Sequence, residues 1–493
     1  MPPPPADASL YDAVPYPGHA FAQTHPDRLA TLGALFGLDG APPAACRVLE
    51  IGCGDGGNLL PMALTLPDSS FVGIDPSGHA IARAAEIARE LGLANVRFEQ
   101  VGAQDFQTAG ASFDYVVAHG VFSWVPEPVR AQILALCAHA LAANGIAYVS
   151  YNALPGARVP QTLRELLAIK LQGIEEPAAR IAEARRVLAL LSGPDGQATL
   201  LGAEAASLLD RPDALLFHDV LAPVSDPFLF SEFARRAGAH GLQYLAEANF
   251  LEMQVGGVPE ELKRELLADD DVVRQEQVLD YLRVRRFRQT LLCHAQVQID
   301  RMPRAEVIAQ LAVSSPARWS VEDPARPGRV TFWAPGGSRM TIENELIVAV
   351  MQRAGERWPA AVPVVELAGG EAMAQALPAV CAALLRLYAT TNLVQLHVHP
   401  PAPATAAGEL PLASPLARIQ ARDQPEVANL RHATVALGDE LQRRLLMLLD
   451  GTRDRPALLA ELEAVAGASA GELAGGRLEA GLARLARSSL LVA

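Results

Sequence analysis

The sequence predicts an α/β fold built around a largely parallel β-sheet. Between residues 47 and 151, short β-branched or aromatic runs alternate with Ala-rich stretches of helical period. This alternation is typical of successive βαβ units. Residues 158–216 have helical composition and no strand pattern, which predicts a helical insertion into the sheet domain. A chain of 493 residues exceeds one hydrophobic core, so further domains are expected.

Periodicity places the individual elements of the sheet domain. The predicted strands are Arg47–Ile51, Ser70–Ile74, Val96–Gln100, Phe113–Ala118 and Gly145–Tyr151. The clearest predicted helices are Gly57–Leu66, Gly78–Leu91 and Pro128–Leu141. After the insertion, residues 227–244 predict a helix that leads into another strand, and residues 287–295 predict one more. The sheet is therefore expected to close near residue 300.

The C-terminal half predicts smaller modules. A short β element over residues 328–341 is followed by helices over 343–351 and 370–387, which predicts an α+β domain. A Pro/Ala-rich linker at 399–403 precedes a unit with winged-helix-like helices at 440–449 and 455–465. The predicted domains are an N-terminal arm (1–40), a sheet domain (41–157 with 217–300), a helical insertion (158–216), a middle domain (301–400) and a C-terminal domain (401–493).

Charge and composition disfavour several classes of function. The formal net charge is −14, whereas proteins that grip nucleic acid or anionic lipid need clustered Lys and Arg. Five cysteines without a CxxC pair predict neither a disulfide framework nor a metal site, which favours a reducing compartment. The sequence has no secretory-signal pattern and no long apolar run. We therefore expect a cytoplasmic protein without nucleic-acid binding or membrane insertion.

A glycine-rich turn between the first strand and its helix, Gly52 to Gly57, is the clearest site motif. Its spacing also fits the GxGxxG of dinucleotide-binding proteins. Glu50 and Asp55 favour another ligand, because two carboxylates would repel a pyrophosphate but attract the sulfonium and ammonium of S-adenosylmethionine. Asp75, at the end of the second strand, is placed to accept the ribose hydroxyls, although an Asp opening a turn is the structural alternative. The sequence therefore predicts S-adenosylmethionine as the cofactor.

Further motifs along the chain carry a family resemblance. They are residues 11–12 and 15–17, 21–26 (FAQTHP), 118–126 (AHGVFSWVP), 150–152 (SYN) with 155–156, 217–219 (FHD) with 227–228 and 230, 285–290 (RRFRQT), and 429–432 (NLRH). The chain resembles a class I methyltransferase over about residues 40–250. More narrowly, it resembles bacterial methyltransferases with a regulatory domain, which include rickettsial outer-membrane-protein lysine methyltransferases. One departure is Ala157, where an aromatic residue is expected.

The resemblance implies a fold, a substrate and partners. The fold is a Rossmann-like class I methyltransferase sheet with a helical insertion, followed by α+β and winged-helix-like C-terminal modules. The implied substrate is a protein lysine, such as that of an outer-membrane or surface protein before export. The N-terminal segment is expected to fold over the cofactor, and the chain to form a homodimer. Family members often place an Asp against adenine after the third strand; here Gln104 or the backbone of Ala103 takes that place.

Two sets of site residues follow. The predicted cofactor-binding residues are Glu50, Gly52, Cys53, Gly54, Asn58, Asp75, Pro76, Ala103, Gln104, His119 and Gly120. The predicted catalytic residues are His119, Tyr151, Asn152 and, from the arm, Tyr16. His119, Tyr151 and Asn152 follow or end strands, where ligands of open α/β sheets bind. Tyr11 and His25 are further candidates from the arm. A packing role is the alternative for Tyr151, and a capping or core role for His119.

Other residues favour structural roles. Trp124 is interpreted as core or cofactor wall, and His25 as the start of a helix. The basic run Arg283, Arg285, Arg286 and Arg288 is interpreted as a solvated strand face. Asn429, Arg431 and His432 are interpreted as a structural turn without assigned chemistry. Two other functions stay open: a small-molecule methyltransferase with the insertion as a lid, and a non-catalytic assembly protein that keeps the cofactor fold.

Overall fold

The computed structural model describes residues 16, 18–193, 199–323, 325–326, 328–367, 371–466 and 476–493. Its central feature is a seven-stranded sheet in the order β3-β2-β1-β4-β5-β7-β6. The strands are β1 (Arg47–Ile51), β2 (Ser70–Asp75), β3 (Val96–Gln100), β4 (Phe113–Ala118), β5 (Leu141–Asn152), β6 (Leu242–Glu247) and β7 (Phe287–His294). The first five pair in parallel, whereas β7 runs antiparallel to both β5 and β6. The predicted α/β class is confirmed, and of the two strands after the insertion β7 is reversed, whereas β6 runs in the same direction as β5.

Helices flank the sheet and form the inserted segment. The helices before the insertion are Pro26–Leu35, Leu59–Thr65, Gly78–Glu90 and Glu127–Ala140. Those within and after it are Arg158–Lys170, Pro177–Leu191, Leu200–Leu209, Asp213–Val220, Phe230–Ala239, Glu260–Ala268 and Val272–Arg283. Apolar side chains of the inserted helices, including Leu163, Leu188 and Leu216, pack into a core of their own. The insertion is therefore a compact helical unit beside the sheet.

Smaller sheets and helices make up the C-terminal half. One sheet joins Arg318–Val321, Val330–Trp333 and Arg339–Ile342; another joins Val362–Pro363, Ala312–Ser314 and Gln395–His397; a third pairs Glu426–Ala428 with Thr434–Ala436. The helices are Glu345–Glu356, Val364–Leu367, Glu371–Thr390, Pro415–Gln420, Glu440–Leu448, Arg455–Ala466 and Gly476–Arg487. The last three pack around a separate core that includes Leu446, Leu458 and Leu482.

The two faces of the main sheet bury different side chains. Tyr148 belongs to the core that also contains the helix Pro26–Leu35, whereas Tyr151 belongs to the core on the opposite face. Alternate residues of a strand point to opposite faces. Parity along β5 therefore decides which of its polar side chains reach a given face.

A buried ionic cluster lies behind β7. Arg288 is fully buried and pairs with Glu247 (2.6 Å), Glu276 (2.9 Å) and Asp280 (2.8 Å). Arg285 is also buried and lies 3.1 Å from Asp280. The interpretation of this basic run as a solvated strand face is therefore wrong for both arginines. The helix Val272–Arg283 supplies Glu276 and Asp280 one turn apart on the face that the arginines contact.

Within the described part of the chain, no helix is long and apolar enough to cross a membrane. All five cysteines are buried and unpaired.

Candidate active site

The glycine turn after β1 is held against the end of β2. The backbone N–H groups of Gly52 and Cys53 both donate to the carbonyl of Ile74, over 2.8 and 3.1 Å. Gly54 N–H donates to Asp75 Oδ2 over 3.0 Å. Gly52 has a φ of +74°, and a Cβ there would lie 2.4 Å from the Val121 side chain. Glycine is therefore required at this position for both conformation and space.

Glu50 forms the buried floor of this turn. Its Oε1 accepts a hydrogen bond of 2.7 Å from Asn58 Nδ2, while Oε2 is buried without a hydrogen-bond partner in the described structure. Burial raises the pKa of Glu50 to about 8, helped by the nearby Asp75 and Asp55 carboxylates. A buried, unpartnered carboxylate oxygen on a cavity wall suits a cationic donor such as an ammonium group.

Other predicted cofactor residues line the same cavity. Asp75 Oδ1 accepts from the backbone of Ser77 over 2.8 Å, and Pro76 beside it is exposed. Ala103 and Gln104, after β3, also line the cavity. The structure thus brings the carboxyl ends of β1, β2 and β3 to one place, as the predicted set requires.

His119, after β4, lies between two aromatic side chains. Its Nδ1 is 2.8 Å from the Tyr148 hydroxyl, and its ring lies 3.9 Å from the ring of Phe21. Burial lowers the pKa of His119 to about 4, so the imidazole is uncharged at neutral pH. The next residue, Gly120, donates from its backbone to Ser150 Oγ over 2.8 Å. Tyr148 was missed by the sequence analysis.

The two predicted residues at the end of β5 have different positions. Asn152 lines the cavity, and its side-chain amide makes no hydrogen bond within the described structure. Tyr151 is 1% exposed, stacks on Phe233 at 4.2 Å and lies 3.2 Å from the Thr290 hydroxyl. The prediction of a catalytic Tyr151 is wrong, because its side chain points to the face of β5 opposite to that of Asn152. The packing alternative is the correct one.

The N-terminal arm lies directly on the glycine turn. A Cβ on Gly57 would lie 2.5 Å from the backbone of Gly18, and one on Gly18 would lie 2.0 Å from Asp55 Oδ1. Tyr16 lines the cavity, is 41% exposed and makes an edge contact with the His218 ring at 5.5 Å. Tyr11 lies outside the described residues.

The cavity has a volume of about 1410 Å³ and extends well beyond the turn. The inserted helices contribute Arg164 and Glu204 to its wall, and the start of β7 contributes Phe287 together with Arg286 just before it. Arg286 pairs with Glu204 at 2.8 Å. Trp124 also lines the cavity and contacts the Arg164 guanidinium at 5.3 Å, consistent with a wall role. The sequence did not identify Arg164 and Glu204 as cavity residues, because helical composition does not show which face of a helix lies on a cavity.

His25 and His432, both interpreted as structural, lie next to the cofactor-binding region. His25 Nδ1 accepts from Asp27 N–H over 3.1 Å and so begins the helix Pro26–Leu35, as interpreted. His432, at a φ of +57°, lies in a turn after Asn429, but its Nε2 also contacts Asn58 Oδ1 at 2.9 Å. The turn thus connects the C-terminal module to the cofactor loop, a contact between residues too distant in sequence to predict from pattern. Among the described residues, no cluster of His, Cys, Asp or Glu has the geometry of a metal site.

The chain is similar to several known proteins. Three family models match the chain: "Methyltransferase domain" over residues 48–145, "Predicted methyltransferase regulatory domain" over 212–294, and "PKMT, C-terminal winged helix domain" over 409–481. Two uncharacterized proteins of Rickettsia prowazekii are similar. RP789 is 40% identical over 60% of this chain and 54% of its own length. RP028 is 33% identical over 46% of this chain and 93% of its own length. The chain thus spans about half the length of RP789.

The chain is similar over almost its full length to a solved structure. PKMT2 from Rickettsia typhi, in complex with AdoHcy, is 25% identical and covers 97% of this chain and 100% of its own, with a TM-score of 0.88. The shared fold includes the sheet, the insertion and the C-terminal modules.

Proposed function

The chain belongs to the class I S-adenosylmethionine-dependent methyltransferases, and from this premise we propose that it methylates lysine side chains of a protein substrate. The size of the cavity beside the cofactor loop carries the proposal. A pocket for one small molecule has a volume of roughly 300–1,000 Å³, and this cavity, which includes the cofactor-binding residues, measures about 1410 Å³. It therefore has room for a lysine side chain beside the cofactor. The PKMT names of the matching winged-helix model and structure favour the same substrate.

The cofactor is S-adenosylmethionine, and the residues around the glycine turn fit it. Glu50, with its unpartnered Oε2, suits the ammonium group, and Gly54 leaves open space where a side chain would stand. Asp75 suits the ribose, and Ala103 with Gln104 suits the adenine. When bound, the cofactor supplies a methyl group carried on a sulfonium. In-line attack of the acceptor amine on that methyl group would release the sulfur as a neutral thioether.

His119 and Asn152 are proposed to orient the acceptor amine. The neutral imidazole of His119 does not repel an incoming ammonium, and its Nε2 is free to face the cavity while Nδ1 contacts Tyr148. Asn152 offers an unpaired amide on the same wall. The low pKa of His119 makes it a weak base, so we assign it positioning. The lysine ammonium gives its proton to water before methyl transfer, and desolvation favours this step because it lowers the lysine pKa. Tyr16 is proposed to close the cavity from the arm.

The cellular setting is part of the proposal. Five unpaired, buried cysteines fit a reducing environment, and we place the reaction in the cytoplasm, on a protein met there before any export. A homodimer remains a prediction from the family resemblance.

Incubation with methyl-labelled S-adenosylmethionine and a cell lysate tests the function. The expected result is label in protein bands, recovered as methyl-lysine after hydrolysis. Label confined to small metabolites, or recovered on another amino acid, would contradict the proposal.

Substitutions link the label to the site. Asn152→Ala should reduce transfer by about tenfold or more, because a lost amide contact to a reacting group costs over 1 kcal/mol. Asn144→Ala is the matched control, since its amide donates at the surface to the carbonyl of Asp39 over 2.9 Å. Equal activity of the two variants would exclude Asn152 from the acceptor site.

A further inference from the structure

A second cavity of about 1210 Å³ lies between the N-terminal helix, the middle domain and the C-terminal module. Its wall is strongly basic. Four arginines line it: Arg28, Arg318, Arg431 and Arg487. The only carboxylate among its described lining residues is Asp27, whose two oxygens accept hydrogen bonds of 2.7 Å from His397 Nδ1 and from the backbone of His399.

These four arginines have little compensating negative charge nearby, since Asp27 acts on Arg431 from beyond ion-pair distance. None of them forms an ion pair with any residue that the structure describes, although most other arginines of the chain do. The cluster lies in a chain whose formal net charge is −14. Clustered, unpaired cations inside a concave surface concentrate positive potential and attract anions.

Arg431 is the most constrained of the four. Its guanidinium donates to the carbonyl of Pro359 over 2.6 Å, to Ser314 Oγ over 2.8 Å and to Gln395, and it stacks on the Trp358 ring at 4.4 Å. Burial lowers its pKa to about 10, so it remains charged at neutral pH. A largely buried cation that is held only by neutral groups gains from a charged acceptor. The planar guanidinium suits a phosphate or a carboxylate.

The neighbouring Asp27, His397 and Ser314 orient this arginine. They form a hydrogen-bonded series, with 2.7 Å between the first two side chains and 2.9 Å between His397 Nε2 and Ser314 Oγ. Ser314 is fully buried and does not line the cavity, and its Oγ accepts from Arg431. The series therefore positions a cation and does not supply a nucleophile.

We propose that the second cavity binds a small organic anion that carries two or more phosphate or carboxylate groups. Arg431 is the central contact, with Arg28, Arg318 and Arg487 around it. The Trp333 side chain, 39% exposed, gives the organic part of such a ligand a flat apolar surface.

The anion site is connected to the cofactor loop through His432, the residue that follows Arg431 in sequence. His432 lines the second cavity, and its Nε2 lies 2.9 Å from Asn58 Oδ1, while Asn58 Nδ2 donates to Glu50. An anion on Arg431 therefore acts on the turn that contacts the cofactor loop. This regulatory part rests on the proposed function. Thermodynamic linkage requires that anion and cofactor change each other's affinity by the same factor.

Calorimetry on the full chain without cofactor tests the binding site, with pyrophosphate and citrate as the two probes. Saturable binding of either probe is expected, and the probe preferred identifies phosphate or carboxylate chemistry. Arg431→Gln should weaken it by about tenfold or more, since a hydrogen bond to a charged group contributes about 1.5–3 kcal/mol. Arg89→Gln is the control, because Arg89 is exposed and outside both cavities.

Folding is checked by circular dichroism, and if Arg431→Gln unfolds the chain, the double variant Arg28→Gln with Arg487→Gln carries the test. Absence of saturable binding at millimolar probe, or binding equal in the site and control variants, overturns the proposal. Binding of an acidic peptide but of neither probe also overturns it.

The coupling is measured as the affinity for S-adenosylhomocysteine with and without saturating anion. A change in that affinity is expected, and the ratio of the two affinities should fall toward one in His432→Ala. An unchanged affinity overturns the coupling. Because anion binding is measured without cofactor or methyl acceptor, failure of lysine methylation is distinguishable from failure of this site.

Discussion

Asn58 donates a hydrogen bond of 2.7 Å from Nδ2 to Glu50 Oε1, which fixes the buried carboxylate beneath the glycine turn. The other end of the same amide, Oδ1, accepts from the backbone of Phe21 over 3.0 Å and contacts His432 Nε2 at 2.9 Å. One side chain thus joins the cofactor loop, the N-terminal arm and the C-terminal module. The arrangement makes cofactor binding depend on parts of the chain far from the loop in sequence.

Replacement of Asn58 by Ala should weaken cofactor binding by about tenfold or more and lower the free energy of unfolding by about 1–3 kcal/mol, because buried donors and acceptors lose their partners. Calorimetry with S-adenosylhomocysteine and thermal unfolding measure the two effects. An exposed amide serves as the control, in Asn144→Ala. Unchanged cofactor affinity in the Asn58 variant would show that the amide only joins the modules.

Cofactor binding should release a proton from Glu50. In the free protein its pKa is raised to about 8, mainly by burial, so the carboxyl is largely protonated at neutral pH. An ammonium group favours the carboxylate and lowers that pKa, so affinity should rise with pH and level off above about 8.

Calorimetry in buffers of different protonation enthalpy measures the release. At a pH below the raised pKa of Glu50, the released proton is taken up by the buffer, so the binding heat of the wild type should depend on the buffer. This dependence should be smaller in Glu50→Gln. Equal buffer dependence in the two proteins would assign the proton to another group.

The cofactor loop was predictable because its residues are close together in sequence and end strands of recognisable period. Glu50, Gly52 and Asp75 fall where parallel strands bring their carboxyl ends together. Tyr148 and His432 were not identified, because their contacts join distant segments. Strand parity could have separated Tyr148 from Tyr151, since residues three apart on a strand point to opposite faces.

The two tyrosines of β5 give a matched test of that correction. Tyr148→Phe removes the hydroxyl that lies 2.8 Å from His119 Nδ1 and should lower kcat by about tenfold, since the imidazole loses its orienting contact. Tyr151→Phe removes a hydroxyl 3.2 Å from Thr290 in the core, so it should change kcat little and stability by about 1 kcal/mol. Steady-state kinetics and denaturant unfolding measure both. A larger kcat loss in Tyr151→Phe would restore the original prediction.

The arm packs closely on the glycine turn because Gly18 has no side chain. In Gly18→Ala the new Cβ would lie 2.0 Å from Asp55 Oδ1, so either the Asp55 side chain or the arm has to move. We expect a raised KM for S-adenosylmethionine and greater protease sensitivity near the N-terminus. Gly238→Ala is the control, because it has open space in the helix Phe230–Ala239 and should stabilise by about 0.5–1 kcal/mol. An unchanged KM in the Gly18 variant would mean that the arm does not cover the bound cofactor.

Arg288 lies in β7 and Arg286 lies just before that strand. Substitutions of these two arginines should differ strongly in their effect on stability. Arg288→Met leaves the buried carboxylates of Glu247, Glu276 and Asp280 without their main cation, and removing one partner of a buried ion pair costs about 3–5 kcal/mol. Arg286 has a side chain that is 57% exposed, whereas that of its partner Glu204 is 8% exposed, so Arg286→Gln should cost about 1–2 kcal/mol, less than Arg288→Met. Urea unfolding of the two variants measures the difference. Similar losses would show that Arg285 neutralises the cluster by itself, whereas the expected gap identifies Arg288 as the cation that allows three carboxylates to be buried behind the active-site sheet.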